Sequence, residues 1–342
     1  MKKSTFKMHV RKSLLLTALI TLTALISIPL MAQDYAIDLG KTATGVQVAE
    51  DNLEQLNLNF TFSGINTFAV ETKKGAFNEI GIPGTFFTGK LGTPKLPASK
   101  KLIEIPFGAE VSVEVKNYTV SEYKLSDFGI ENPVFPSQPS IRKDQTADEV
   151  PFEYDEKVYS ANRFIEPELA SVEVLGVMRG YRLARVTVAP VSYNPAKGII
   201  RVCNDVDVEI TFTGADQVLT EYVKSSTWSP YFTTIRQNLV NRLGGGYPEH
   251  PDLTTYPVKY LIVADPMFEE DLQDFIQWKT MKGFEVITAY TDEIGSGYDQ
   301  IQTWIHDQYN QGTPNDPAPS FFLLVGDTPQ IPAEMGSSSG KM

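Results

Sequence analysis

Thiol chemistry has a single possible nucleophile in this 342-residue chain, Cys203, and three possible bases, His9, His250 and His306. Cys203 falls on the same strand parity as Asp205, Asp207 and Glu209 with no histidine near it in sequence, so it reads as an incidental free cysteine. The carboxylate with the most suggestive neighbours is Asp327, which leaves the apolar run Phe321-Phe322-Leu323-Leu324-Val325 through Gly326. A carboxylate at the end of such a strand can bind a cation or a cationic substrate group, or can simply cap the turn after it. The acidic group Glu269-Glu270-Asp271 could suggest a metal, but at a helix start it is explained by compensation of the helix dipole. Arg142 and Lys143 stand side by side in Pro139-Ser140-Ile141-Arg142-Lys143-Asp144, where the plain reading is solvated surface charge.

The elements that must position Asp327 are legible from Lys259 onward. Tyr260-Leu261-Ile262-Val263-Ala264 is a continuous apolar run of the kind a strand shows when helices cover both faces. Asp265 can cap a helix, Pro266 suits its first position, and Phe268, Leu272, Phe275 and Ile276 make its apolar stripe before Lys282-Gly283 stops it. A second strand is expected over Phe284 to Tyr290. A second helix, capped by Ser296 and carrying Ile301, Trp304, Ile305 and Tyr309, would run to Gly312, and the third strand would end at Asp327. Crossovers of this kind make all three strands parallel and place Asp327 at the carboxyl edge. The sequence ends before such a domain could close, so we expect it to be the front part of a longer protein.

Residues from about 50 to 215 read as almost entirely β. Period-two alternation runs through Leu56 to Phe62, Val111 to Val115 and, most clearly, Val206 to Phe212. Gly92-Thr93-Pro94 and Tyr193 to Gly198 supply turns. The expected fold is therefore mixed: an all-β, sandwich-like domain followed by the first βαβαβ part of an α/β domain.

At the other end, Lys2, Lys3, Lys7, Arg11 and Lys12 precede an apolar run from Leu14 to Ile28, with Ala32 before Gln33, the pattern of a secretory signal peptide. The run is too short to favour a stable membrane span. Removing residues 1–32 takes five of the 30 basic residues and none of the 42 acidic ones, leaving a net charge of −17. That balance argues against nucleic acid or an anionic membrane as partner. One cysteine excludes a disulfide framework, so stability must come from hydrophobic cores. The expected organisation is a signal at 1–32, a β-rich domain at 33–225, a connector at 226–256 marked by Gly244-Gly245-Gly246, Pro248 and Pro251, and an α/β part at 257–342.

Two regions carry a resemblance to the gingipain family of cysteine endopeptidases. KYLIVAD, the helix EEDLQDFIQWKTMKG and FFLLVGDTPQIPA look like the opening of its catalytic domain, while LGTPKLP (91–97) and the stretch from Met178 to Phe212 are similar to its propeptide. The resemblance implies a caspase-like, doubly wound peptidase fold whose catalytic His and Cys lie downstream of the VGD strand. No catalytic residue is then assigned in this sequence, which is expected to be inactive by itself. It implies a calcium ligand at Asp327, the other ligands lying beyond the last residue. It also implies that a basic residue of a propeptide loop, Arg142 or Lys143, enters the specificity pocket of the chain's own catalytic domain. Arg242 is the residue most similar in placement to the family's processing site, with Arg236 as the fallback.

The expected function is that of a secreted zymogen, exported through the Sec pathway and cleaving protein or peptide substrates, with Arg or Lys preference open. Two alternatives remain: a type IX secretion sortase of the same superfamily, and a non-catalytic cell-surface or adhesion protein.

Overall fold

The structure, a computed structural model, describes residues 36–146, 149–243 and 256–334. The expected signal segment with its cut before Gln33, His9, His250 and the Gly244-Gly245-Gly246 run lie outside the described residues. The described chain from Ile37 onward belongs to one compact unit, Ile37–Met342.

The β-rich part runs β1 (Ile37–Asp38), β2 (Gly45–Asp51), β3 (Gln55–Thr61), β4 (Gly64–Thr72), β5 (Gly75–Gly81), β6 (Phe86–Thr88), β7 (Leu96–Glu104) and β8 (Glu110–Lys124). A short helix α1 (Glu156–Ser160) precedes β9 (Ala170–Met178), β10 (Tyr181–Val188), β11 (Val191–Asn194) and β12 (Ile199–Thr213). These strands form three antiparallel groupings: β1-β4-β5, β6-β7-β10-β9, and β11-β12-β3-β2 with β8 added along β12. The sequence alternation is realised residue by residue. In β3, Leu56, Leu58 and Phe60 are fully buried while Gln55, Asn57, Asn59 and Thr61 face outward. In β12, Ile200, Val202, Val206, Val208, Ile210 and Phe212 point inward. Each such side chain contributes about 1.5–3 kcal/mol by leaving water. Tyr193 to Gly198 makes the expected hairpin between β11 and β12, with Gly198 at φ 60°.

Helix α2 (Gln217–Ser226) comes next, capped by Asp216, whose Oδ1 accepts the Leu219 N–H at 2.8 Å. A 3-10 turn (Pro230–Phe232) and α3 (Thr233–Gln237) succeed it. Here the structure differs from the expected flexible connector. Leu239 packs on Tyr181 and Leu183, and Leu243 is 2 % exposed, so residues 226–243 are docked. The glycines and prolines that suggest a loose connector begin only at 244, after this apolar segment has found its partners.

The α/β part comprises β13 (Val258–Ala264), α4 (Glu269–Met281), β14 (Phe284–Tyr290), α5 (Thr291–Ile294), α6 (Tyr298–Asn310) and β15 (Phe321–Val325). The strands are parallel in the order β14-β13-β15. Asp265 caps a 3-10 turn that leads into α4, and Gly283 at φ 89° ends the helix. Helix α6 starts one residue later than expected: Gly297 rather than Ser296 is its cap, and the Gly297 N–H donates to Gln300 Oε1 at 3.1 Å. Leu272, Phe275 and Ile276 of α4 cover Ile262 and Ala264. The other face is less filled. A cavity of about 830 Å³ separates α6 from β15, and Phe322 and Leu324 are exposed.

Candidate functional site

Each strand of the parallel sheet ends in an acid-bearing turn. Asp265 follows β13 and accepts the Met267 N–H at 3.0 Å, Glu293 accepts the Tyr290 N–H at 3.1 Å, and Asp327 follows β15. Asp327 Oδ1 accepts the Thr328 N–H at 2.7 Å, while its carbonyl accepts from Gln330 and Ile331, both at 2.8 Å. Gly326, at φ 148°, leaves no room for a Cβ, which would lie 2.8 Å from the Gln330 side chain. The turn-capping role foreseen for Asp327 is therefore present. Among the described residues no group of three or more metal-ligating side chains converges. Burial, reinforced by Glu269 and Glu293, pushes the Tyr290 hydroxyl above its ordinary value, so it stays neutral at this acidic edge.

Arg142 and Lys143 sit at the exposed tip of a long loop. Arg142 is engaged with its own neighbour: Nε and Nη2 donate to the two oxygens of Asp144, both at 3.1 Å. No ion pair engages Lys143 among the described residues. The loop is closed at its base by Gln138, which donates to the Glu153 carbonyl at 2.7 Å and accepts the Glu153 N–H at 3.0 Å. The Gly92-Thr93-Pro94 turn lies against this base, with Gly92 N–H on Ser137 O at 2.9 Å and Asp155 N–H on Gly92 O at 3.0 Å. Gly92 has φ 77°, and a Cβ there would meet Asp155 N at 3.1 Å. Sequence reading noted this turn without assigning it a partner; its glycine before Thr-Pro was the available signal.

Arg242 is exposed, but the chain around it is not. Its N–H donates to Asp51 Oδ2 at 3.0 Å. Asn241, 2 % exposed, accepts the Glu104 N–H at 2.8 Å and donates to the Glu104 carbonyl at 2.9 Å. Lys224 Nζ donates to the Leu243 carbonyl at 3.0 Å. Sequence reading missed Lys224, Asn241 and Asp51 altogether. Arg236 is half-buried in the last turn of α3. The structure does not gather these candidates: no hydrogen bond or ion pair joins the Arg142–Lys143 loop, Arg242 and Asp327 to one another among the described residues. Cys203 is half-buried on β12, with its thiol pushed up by burial, and His306 lies on α6 at the rim of the cavity.

Comparison with known proteins gives residues 42–231 as a match to the family described as Propeptide_C25 and residues 253–339 as a match to Peptidase family C25. Lys-gingipain HG66 of Porphyromonas gingivalis is 39 % identical over 334 residues, 97 % of this chain and 19 % of the relative. Gingipain R2 of the same organism is 26 % identical over 293 residues, 85 % of this chain and 36 % of the relative. The chain thus spans about a fifth of the length of the lysine-named relatives. A solved structure described as giving insight into the zymogenic latency of gingipain K from Porphyromonas gingivalis aligns with TM-score 0.50 at 37 % identity, covering 52 % of this chain and 98 % of that one.

Proposed function

Because the chain belongs to the gingipain family of C25 peptidases, we propose that it is the precursor portion of a secreted cysteine endopeptidase, joining a latency-conferring propeptide to the first strands of the catalytic domain. The complete enzyme would hydrolyse peptide bonds through a thiolate activated by a histidine, forming an acyl-enzyme that water resolves. The described residues supply positioning and latency, not the nucleophile. A caspase-like, doubly wound completion of the sheet is supported by the parallel order β14-β13-β15.

The observation that carries the reading is the state of the Arg142–Lys143 tip. A carboxylate-lined specificity pocket blocked by its own propeptide would receive a cation, and this loop presents one on a base fixed by Gln138 and Gly92. We assign the inserting residue to Lys143. The guanidinium of Arg142 already has the bidentate partner that it would seek in a pocket, although an exposed pair of this kind holds it by only about 0–1 kcal/mol. Lysine preference follows, in agreement with the name of the 39 %-identical relative. Processing is assigned to the Arg242–Leu243 bond. For calcium, Asp327 is the one ligand we name. It supplies at most two of the six to eight oxygens that the ion takes, one of them occupied by Thr328, so the described residues alone do not make the site.

The test is inhibition in trans. The purified chain is added to Lys-gingipain, and residual cleavage of a lysyl substrate is measured. Inhibition that weakens by about 30-fold or more in Lys143→Ala, the scale of a central binding residue, and by only a few-fold in Arg142→Ala supports the reading. No inhibition by the unsubstituted chain would end it.

A further inference from the structure

Asp327 marks the carboxyl edge of the parallel sheet, yet the β-rich domain touches the sheet at its other edge. Phe284 and Phe321 are the first residues of β14 and β15. Tyr231 stacks on Phe284 with ring centroids 5.7 Å apart and meets Phe321 edge-on at 5.0 Å, while Phe232 adds a contact to Phe321 at 6.1 Å. The contact continues through the backbone. Ala318 N–H donates to Ser226 O, the end of α2, at 2.8 Å, and Ser320 Oγ bonds Ser229 Oγ at 2.7 Å. Gly312 allows this approach, because a Cβ there would lie 2.7 Å from Ser226 O.

Arg179 pins the arrangement. It occupies the tip of the β9–β10 hairpin with φ 50°, a left-handed conformation that a non-glycine residue adopts at a cost. Its Nη1 donates to Pro319 O at 2.6 Å and its Nη2 to Ser320 Oγ at 3.1 Å, while the guanidinium lies 4.7 Å from the Phe232 ring centroid. The adjoining Gly180 presses the hairpin onto α2, where a Cβ would fall 2.3 Å from Thr227 Oγ1. A strained backbone, a half-buried guanidinium and two acceptors on the neighbouring domain converge on one contact.

We propose that Arg179, Tyr231 and Phe232 form a second anchor of the propeptide on the peptidase domain, at the sheet edge opposite the site, and that this anchor keeps the two parts associated after the connecting chain is cut. The anchor is independent of the Arg142–Lys143 tip. Among the described residues no hydrogen bond or ion pair joins that tip to Arg179, Tyr231 or Phe232: Arg142 is engaged with Asp144, and Arg179 with Pro319 and Ser320, so one contact can be lost while the other is kept. The role of the anchor rests on the propeptide reading; its existence does not.

The experiment inserts a recognition sequence for a specific protease within 244–255 of the chain, cuts it, and follows the two parts by gel filtration and by their dissociation rate. The cut chain should elute as one species, and Lys143→Ala should leave it so. Arg179→Ala should speed dissociation by about tenfold or more, the scale of a lost charge-assisted hydrogen bond. Ser320→Ala, which removes one acceptor and leaves the packing, keeps the test usable should Arg179→Ala not fold; it should speed dissociation several-fold. Immediate separation of the unsubstituted halves, or unchanged dissociation in the variant that folds, would overturn the anchor. An absence of trans inhibition together with co-elution of the cut halves would instead overturn the latency reading alone.

Discussion

Lys224 on α2 and Glu104 at the end of β7 form an ion pair at 2.5 Å with both side chains 1 % exposed. The same ammonium holds the Leu243 carbonyl, and the Glu104 backbone holds the Asn241 amide at both ends. One charged pair thus joins a strand, a helix and the segment leading to Arg242.

Removing one member of such a pair strands the other charge away from water, at a cost of about 3–5 kcal/mol, whereas replacing both with apolar groups is often close to neutral. Lys224→Met and Glu104→Leu are each expected to lose stability on that scale in urea denaturation, and the double variant to lose much less than the sum. Additive losses would show that the pair contributes little as a pair.

Cleavage at Arg242 should depend on opening of this segment. A protease needs an extended backbone, and here the Arg242 N–H, Asn241 and Leu243 are all engaged. Asn241→Ala leaves buried backbone groups of Glu104 unpaired at about 1–3 kcal/mol, so limited trypsin digestion read by mass spectrometry should show cutting after Arg242 faster by roughly 5- to 100-fold. Equal rates in the two proteins would mean that the segment is not protected.

Gly92→Ala is expected to loosen the Arg142–Lys143 loop from below. The left-handed φ of 77° and the 3.1 Å approach to Asp155 N both oppose a side chain, and strain of this kind costs on the order of 1–3 kcal/mol. The melting temperature should fall by several degrees, with faster thermolysin nicking between residues 139 and 152. An unchanged nicking rate would separate the turn from the loop.

Alkali should destabilise the β-rich part before it affects most charged groups. Burial raises the Tyr159 and Tyr193 hydroxyls above their ordinary value, and Tyr159 donates to the Val134 carbonyl at 2.6 Å. Their neutral forms are therefore favoured in the folded state. That stability is complete below the unfolded value of about 10 and is lost as pH rises above it, because the unfolded chain ionises first. Melting temperature followed from pH 8 to 11.5 should fall beyond about pH 10, less steeply in Tyr159→Phe. At the acid end, Asp205, held low first by its bond from Lys41 and then by Asn59, contributes stability above about pH 4 that fades as pH falls.

What sequence could show was set by periodicity and by local caps. The inward parity of Leu56, Leu58 and Phe60 and the Asp265, Lys282 and Gly283 signals around α4 needed only near neighbours, and the structure places them accordingly. Lys224 is different: on a helix read by itself a lysine belongs in water, and only Glu104, 120 positions earlier, explains its burial. Arg179 was equally hidden, since its partners Pro319 and Ser320 lie about 140 positions away. The docking of residues 226–243 was obscured by the glycines after it, although Tyr231, Phe232, Leu239 and Leu243 were the apolar signal against a loose connector.

Strand β3 lies between β2, its neighbour in sequence, and β12, which arrives far later: Asn59 bonds Asp207 across 148 positions. Its second edge therefore stays unsatisfied until nearly the whole β-rich region has been synthesised. At ribosomal speeds of roughly 5–20 residues per second, that leaves the apolar face of Leu56, Leu58 and Phe60 waiting for roughly 7–30 s. High contact order of this kind places folding in the millisecond-to-second class once the partner strand appears. The sheet closes late, so any chain shortened before Asp205, where the pairing of β12 with β3 begins, would present β3 as an open edge to other chains.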